Sequence, residues 1–395
     1  MLTNRQLFFA HLGQTSENPP AIEPVKAQGI YIYDNSGKDF IDLISGVSVS
    51  NVGHCRPEVV QAVKNQLDKY MHLMVYGEYI QCPQVEYAKY LVDLLPENLN
   101  SVYFVNSGSE AIEGALKLAK RYTGRHKIVA LSGAYHGSTH GAMSLMSSDD
   151  FNFASRPLVP GIEFIDINSE NSFDSIDSRT AAVVIEYIQA EHGIIEGKQS
   201  FFEKLFDHCR KNNVLIIADE VQTGFGRTGS LFAFEKYKLV PDILVLAKSM
   251  GAGMPVGAFV SDKKILDSFT NNPVLGHITT FGGHPVSLAA ALAGLKVLIE
   301  NKIVQDVNKK GEYLISQLKH PKITEIRGLG LFYAVTLENA EIMHLFLKKS
   351  IENGLLLDNF LFDSGSFRIA PPLTITYEEI DETCKRILKT LDECF

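Results

Sequence analysis

Residues 241–260 read Pro-Asp-Ile-Leu-Val-Leu-Ala-Lys-Ser-Met-Gly-Ala-Gly-Met-Pro-Val-Gly-Ala-Phe-Val. The apolar run 243–247 has the length and branching of a strand buried on both faces. Lys248 follows it directly, and small residues crowd the lysine. Similar runs recur at 102–105, 127–131, 182–185, 214–218 and 256–260. Between them lie amphipathic stretches such as 109–122 and 200–212, with helical spacing. Apolar strands alternating with helices predict an α/β fold whose mostly parallel sheet is covered on both faces.

The pattern changes outside this block. Residues 286–318 are helical in pattern, and strands are expected near 331–337, 355–360 and 366–370. A last helix should open after Thr376, with Glu379 closing a capping box. The first 45 or so residues, with a turn over 34–37, should join this C-terminal part. The expected division is a large domain at 46–287 and a smaller α+β domain from 1–45 and 288–395.

Bulk properties narrow the function classes. The chain has 395 residues, 45% hydrophobic and 21% charged, as expected of a soluble globular protein. A net charge of −9 argues against a nucleic-acid binder. The five cysteines are scattered, so neither a disulfide framework nor a metal site is expected. No long apolar span or secretory leader is legible, so no membrane partner and a cytoplasmic location are expected.

In open parallel sheets, ligands sit outside the carboxyl ends of strands. After 102–105 comes Asn106-Ser107-Gly108-Ser109-Glu110, a small turn opening a helix. Free N–H groups and the helix dipole make such a turn an anion cradle, to which Ser107 and Ser109 would add hydroxyls. After 214–218 comes Asp219, a carboxylate in a core-like setting that needs a partner. Lys248 at the third strand end would have a lowered pKa and act as an amine nucleophile. A phosphate cradle, a carboxylate for a pyridinium nitrogen and a Schiff-base lysine are together what pyridoxal phosphate requires. Competing motifs are missing: there is no G-x-x-x-x-G-K-[ST], no H-E-x-x-H and no dinucleotide glycine spacing.

Nearly the whole chain then resembles the class III pyridoxal-phosphate aminotransferases. The resemblance is carried by Gly53-His-Cys-Arg-Pro57, Phe104-Val-Asn-Ser-Gly-Ser-Glu-Ala111, Tyr135-His-Gly137, Ala218-Asp-Glu-Val-Gln-Thr-Gly-Phe-Gly-Arg-Thr-Gly229, 241–248, Thr279-Thr-Phe-Gly-Gly-His-Pro285 and Phe367-Arg-Ile-Ala-Pro-Pro372. It implies a fold-type-I transferase and a homodimer with shared active sites. Lys248 would be the cofactor lysine and proton shuttle, and Asp219 the partner of the ring nitrogen. Gln222 would bond the ring hydroxyl, and Tyr135 would stack on the ring beside His136. Gly108 and Ser109 would hold the phosphate, and Thr280 would reach the phosphate of the neighbouring subunit. Glu186 would lie near the cofactor. Glu191 would pair with Arg368 as a gate, and a freed Arg368 would bind the carboxylate of 2-oxoglutarate.

Two substrate-side positions depart from the family pattern. Ser138 stands where an arginine usually reads a substrate carboxylate, and Val47 where ornithine enzymes tend to carry tyrosine. The expected reaction is transfer of an amino group, the distal one of an ω-amino acid or acylated diamino acid, to 2-oxoglutarate by a ping-pong mechanism. An aminomutase or an amine:2-oxo acid transaminase of the same fold is the alternative.

Overall fold

The computed structural model describes residues 2–394; positions 1 and 395, at the ends of the expected smaller domain, lie outside it. Its centre is a seven-stranded sheet ordered Ser101–Val105, Gly257–Ser261, Ile243–Leu246, Leu215–Asp219, Thr180–Ile185, Lys127–Leu131, Ile162–Ile165. The strands Lys127–Leu131, Thr180–Ile185, Ile243–Leu246 and Gly257–Ser261 are buried along their whole length. That explains why they read as unbroken apolar runs and not as alternating ones. Gly257–Ser261 is antiparallel to both neighbours. The reason is the short connection: ten residues separate Leu246 from Gly257, too few for a parallel crossover.

Helices cover the sheet with the faces their spacing dictates. Gly108–Thr123 buries Ala111, Ile112, Ala115, Leu116, Leu118 and Ala119. Gln199–Lys211 buries Phe201, Phe202, Leu205, Phe206 and Cys209. The expected helical stretch 286–318 is two helices, Pro285–Glu300 and Val304–Gln317. The chain breaks between them, where Lys302 adopts a left-handed φ of 55°.

Two smaller sheets flank this body. One joins Pro24–Gln28, Tyr31–Asp34 and Asp39–Asp42 to Leu355–Leu356 near the other end of the chain. The turn at 34–37 forms as expected, with Gly37 N–H donating to the Asp34 carbonyl at 3.1 Å. The other sheet joins Ile323–Leu329, Phe332–Leu337 and Ser366–Ile369. The expected strand at 355–360 is a correction: only Leu355–Leu356 forms a ladder. Beyond it the chain passes from one small sheet to the other. Leu355 and Leu356 pair with Ile41 and Asp42, whereas Asn359 bridges to Phe367. The strand Ile323–Leu329 was not legible, because Thr324, Glu325 and Arg327 interrupt its apolar pattern. The last helix, Tyr377–Asp392, opens with the expected capping box. Thr376 Oγ1 accepts from Glu379 N–H at 3.2 Å, and Glu379 accepts from Thr376 N–H at 2.8 Å.

One buried cation ties the sheets together. Arg227, fully buried in the glycine-rich loop, donates to the carbonyls of Leu331 and Pro371 and to Asn51 Oδ1. Burial pulls its guanidinium down to about 9. No helix among the described residues is long and apolar enough to cross a membrane.

Candidate active site

A cavity of about 470 Å³ opens at the carboxyl ends of the central strands. Its wall brings together Ser107, Gly108, Ser109, Tyr135, His136, Glu186, Asp219, Gln222 and Lys248 from the residues expected at the cofactor. Val49, Asn106, Gly137, Val221, Ala247 and residues 253–256 complete it. Asn106 and Gly137 belong to motifs already read in the sequence; the others are apolar or small, with no sequence feature that sets them apart from core.

The cradle is built at the start of Gly108–Thr123. Ser107 is its N-cap, and its Oγ accepts from Glu110 N–H at 3.2 Å. The N–H groups of Gly108 and Ser109 precede the first intrahelical bond and point at the cavity end of the dipole. Gly137 closes the cradle from the facing loop, where Ser138 N–H donates to Ser109 Oγ at 3.2 Å. Gly137 has φ 126°, and a Cβ there would lie 1.9 Å from Ser109 Oγ. Only glycine permits this approach.

Asp219 is the last residue of its strand, and its carboxylate is nearly enclosed. Oδ1 accepts from Val221 N–H at 2.9 Å, and Oδ2 lies 2.7 Å from His136 Nδ1. An ionised carboxylate only accepts, which assigns the proton of that bond to Nδ1. His136 Nε2 is buried and without a partner. Glu220, the next residue, turns the other way. It caps backbone N–H groups of Ala233 and Phe234 at 2.6 and 2.8 Å, and burial raises it to about 7. Of two adjacent acids, one faces the cavity and one holds the loop.

Lys248 enters the cavity from the neighbouring strand end with a left-handed φ of 52°. A non-glycine residue in that region is uncommon and marks an over-determined turn. Burial pulls its ammonium down to about 8, while Glu191 opposes that shift. Glu186 accepts from Tyr135 N–H at 3.3 Å. Burial first, and Asp219 second, push its carboxyl well above the ordinary value.

Gln222 in the cavity wall belongs to a network of three side chains that extends behind it. Arg368 Nη2 donates to both oxygens of Glu191 at 2.9 Å. Arg368 Nη1 donates to Gln222 Oε1 at 3.2 Å, and Gln222 Nε2 donates to Glu191 Oε1 at 2.7 Å. Burial alone would raise the Glu191 carboxyl, but Arg368 and Gln222 outweigh it and hold it below the ordinary value. Arg368 is 1% exposed and sits behind Gln222, not in the cavity wall.

Other expected residues lie apart. Val47 does not line the cavity; Val49 from the same strained turn does, and Val47 itself has φ 62°. Ser138 is exposed at the rim, with Oγ 3.0 Å from the Tyr135 hydroxyl. Thr280 is exposed on the surface, away from this cavity.

The residues present fit pyridoxal phosphate. A cradle that a Cβ would fill suits a phosphate, Asp219 keeps acceptor capacity for a protonated ring nitrogen, and Lys248 offers an amine without a hydrogen bond. Lysine and aspartate at adjacent strand ends, with an anion cradle beside them, define a pyridoxal-phosphate enzyme. The model of the class III aminotransferases matches residues 12–391, and the chain belongs to that family of pyridoxal-phosphate-dependent enzymes. It is 36% identical over 364 residues to the acetylornithine aminotransferase of Archaeoglobus fulgidus, covering 92% of this chain and 94% of that one. It is 38% identical over 372 residues to the acetylornithine aminotransferase of Clostridium acetobutylicum, covering 90% and 93%. Among solved structures, the ornithine aminotransferase of Toxoplasma gondii superposes with a TM-score of 0.90 at 30% identity, over 99% of this chain and 96% of that one.

Proposed function

We propose that this aminotransferase moves the distal amino group of an ω-amino acid or acylated diamino acid to 2-oxoglutarate, in two half-reactions on one site. The acetylornithine and ornithine enzymes it is similar to support this substrate class. The observation that carries it is the Glu191–Arg368 pair, with the arginine buried behind the cavity and held by a carboxylate that can exchange for another. With the pair closed, the charge beside the cavity is masked and a donor's amine end is accepted. With it open, Arg368 grips a substrate carboxylate in bidentate fashion.

The cofactor, when bound, supplies an electron sink in its protonated ring. The N–H groups of Gly108 and Ser109 would bind its phosphate, and Tyr135 would stack on the ring face. Asp219 would hold the ring-nitrogen proton in place, and His136 Nδ1–H fixes the orientation of Asp219. Gln222 would bond the ring hydroxyl. Lys248 Nζ would hold the cofactor and serve as the base that moves the proton at the donor carbon.

The assembly proposed is a homodimer in which Thr280 reaches the partner's phosphate. Exposed apolar side chains support this. Ile80 is 96% exposed and Phe281, next to Thr280, is 53% exposed. Five free thiols fit a reducing compartment, the cytoplasm. A second reading, an amine:2-oxo acid transaminase, is favoured by Ser138, since Lys248 is the only cation in the cavity wall among the described residues.

Arg368→Ala tests the carrying observation. It should raise the KM for 2-oxoglutarate by roughly 30-fold or more, the effect of truncating a buried charge pair, and change the KM for a simple amine far less. Equal effects on both would reject Arg368 as the reader of the acceptor.

A further inference from the structure

Arg368 Nε and the Oδ1 atom of the half-buried Asp358 are both shut off from solvent, and neither makes a hydrogen bond. They lie 3.5 Å apart. A buried donor and a buried acceptor facing each other unbonded are a costly arrangement, and one that needs a reason. The surrounding backbone does not let them drift apart. Arg368 N–H donates to the Asp358 carbonyl at 2.8 Å, and the guanidinium lies 4.7 Å from the centre of the Phe360 ring. In the closed arrangement, Nη2 is taken by Glu191 and Nη1 by Gln222, which leaves Nε as the unused edge.

When Glu191 gives way to a substrate carboxylate, a buried arginine with a single counter-charge would pass through an uncompensated state, which is strongly unfavourable. Asp358 supplies a second counter-charge beside Nε. We propose that Asp358 is a positioning residue for Arg368, taking up Nε as Glu191 withdraws and so biasing the gate toward its carboxylate-reading state. The inference rests on the reading of Arg368 given above. A bond available in one of two states, and not in the other, shifts the equilibrium toward the state that has it.

The groups facing Asp358 come from three elements. They are Arg368 on Ser366–Ile369, Glu191 beyond the strand Ile188–Gln189, and Asp42 at the end of Asp39–Asp42, itself 2.7 Å from His54. Burial raises the Asp358 carboxyl to about 6, Arg368 opposes, and Glu191 and Asp42 add to the rise. Below that pH the residue is protonated, and its hold on Nε weakens.

The test is equilibrium binding of glutarate, a dicarboxylate with no carbonyl to react, to the holoenzyme by calorimetry. Asp358→Asn should weaken binding about five- to tenfold, the size of a modest coupling between sites. In a Glu191→Ala background the gate has no closed state, and the same substitution should bring no loss. The ratio of wild-type to Asp358→Asn affinity should shrink toward one as pH drops from about 7.5 to 5.5, because protonation of glutarate itself is common to both proteins. An equal loss in both backgrounds, or parallel pH curves, would overturn the role of Asp358 alone. If Arg368→Ala leaves glutarate binding unchanged, the reading of Arg368 itself fails, and the role of Asp358 with it.

Discussion

Two buried carboxylates serve the cavity, one in its wall and one behind Gln222, and they are built differently. Asp219 meets His136 at 2.7 Å and one backbone N–H at 2.9 Å, all from segments that leave the two central strands on either side of Thr180–Ile185. Glu191 meets a full positive charge, Arg368, together with Gln222 and the N–H of Leu361, drawn from elements far apart in the chain. The Asp219 carboxylate is held by the His136 ring and short, fixed backbone. It suits a charge that stays put through a reaction cycle. The Glu191 pair joins two opposite charges, and a substrate carboxylate can take the place of Glu191 on Arg368. One side of the cavity is made to hold, the other to exchange.

Substitutions should separate the two sides. The largest effect belongs to the residue both sides serve. Lys248→Ala should cut turnover about 10⁴-fold or more, measured as steady-state transfer with any active donor, because the group that moves the proton is gone. Asp219→Asn should cost about 10²–10³-fold in both half-reactions, since a charge that stabilises the reacting state is lost whichever substrate is bound. Single-turnover rates with donor and with acceptor check this; a loss confined to one half-reaction would break the contrast between holding and exchanging. Smaller again is Ser138→Arg. A cation restored at the rim should improve kcat/KM for a donor bearing a distal carboxylate, such as 4-aminobutyrate, by about tenfold, and leave an uncharged amine unimproved.

The pH dependence of cofactor capture is the mildest test. Capture by the cofactor-free protein needs the neutral Lys248 amine, whose pKa lies near 8. Below that value the amine is protonated, so the capture rate should fall roughly tenfold per pH unit, and above it the rate should level off. A stopped-flow absorbance series from pH 6.5 to 9 measures it. A midpoint near the ordinary lysine value would mean that burial does not act on this group as described.

The same contrast governs what the sequence made legible. Most of the holding side was readable because the cradle, Asp219 and Lys248 each directly follow an apolar strand, whereas His136 was placed by the family resemblance alone. Asn106 to Ser109, Asp219 and Lys248 all stand at the ends of runs whose order along the sheet follows from alternation with helices. The exchanging side was not readable that way. Glu191 and Arg368 are 177 residues apart. Only family resemblance linked them, and no local pattern marks either as a partner of the other. Asp358 was missed altogether, because it falls inside a stretch expected to be a strand. Its one visible signal is a charge that ends the run Leu355-Leu356-Leu357. The smaller sheets were hard for a similar reason, since Leu355–Leu356 is a two-residue strand that only makes sense beside Ile41 and Asp42.

The central claim is that Lys248 carries pyridoxal phosphate in a site that accepts amines. The most direct measurement is the visible absorption spectrum of the protein loaded with pyridoxal phosphate, before and after a panel of ornithine, acetylornithine, lysine, 4-aminobutyrate, β-alanine, glutamate and an aromatic amine, with Lys248→Ala alongside. A cofactor band that Lys248→Ala lacks, bleached by glutamate and by one or two of the distal amines, is the predicted result. A band identical in Lys248→Ala, or no band at all after loading, would contradict the account.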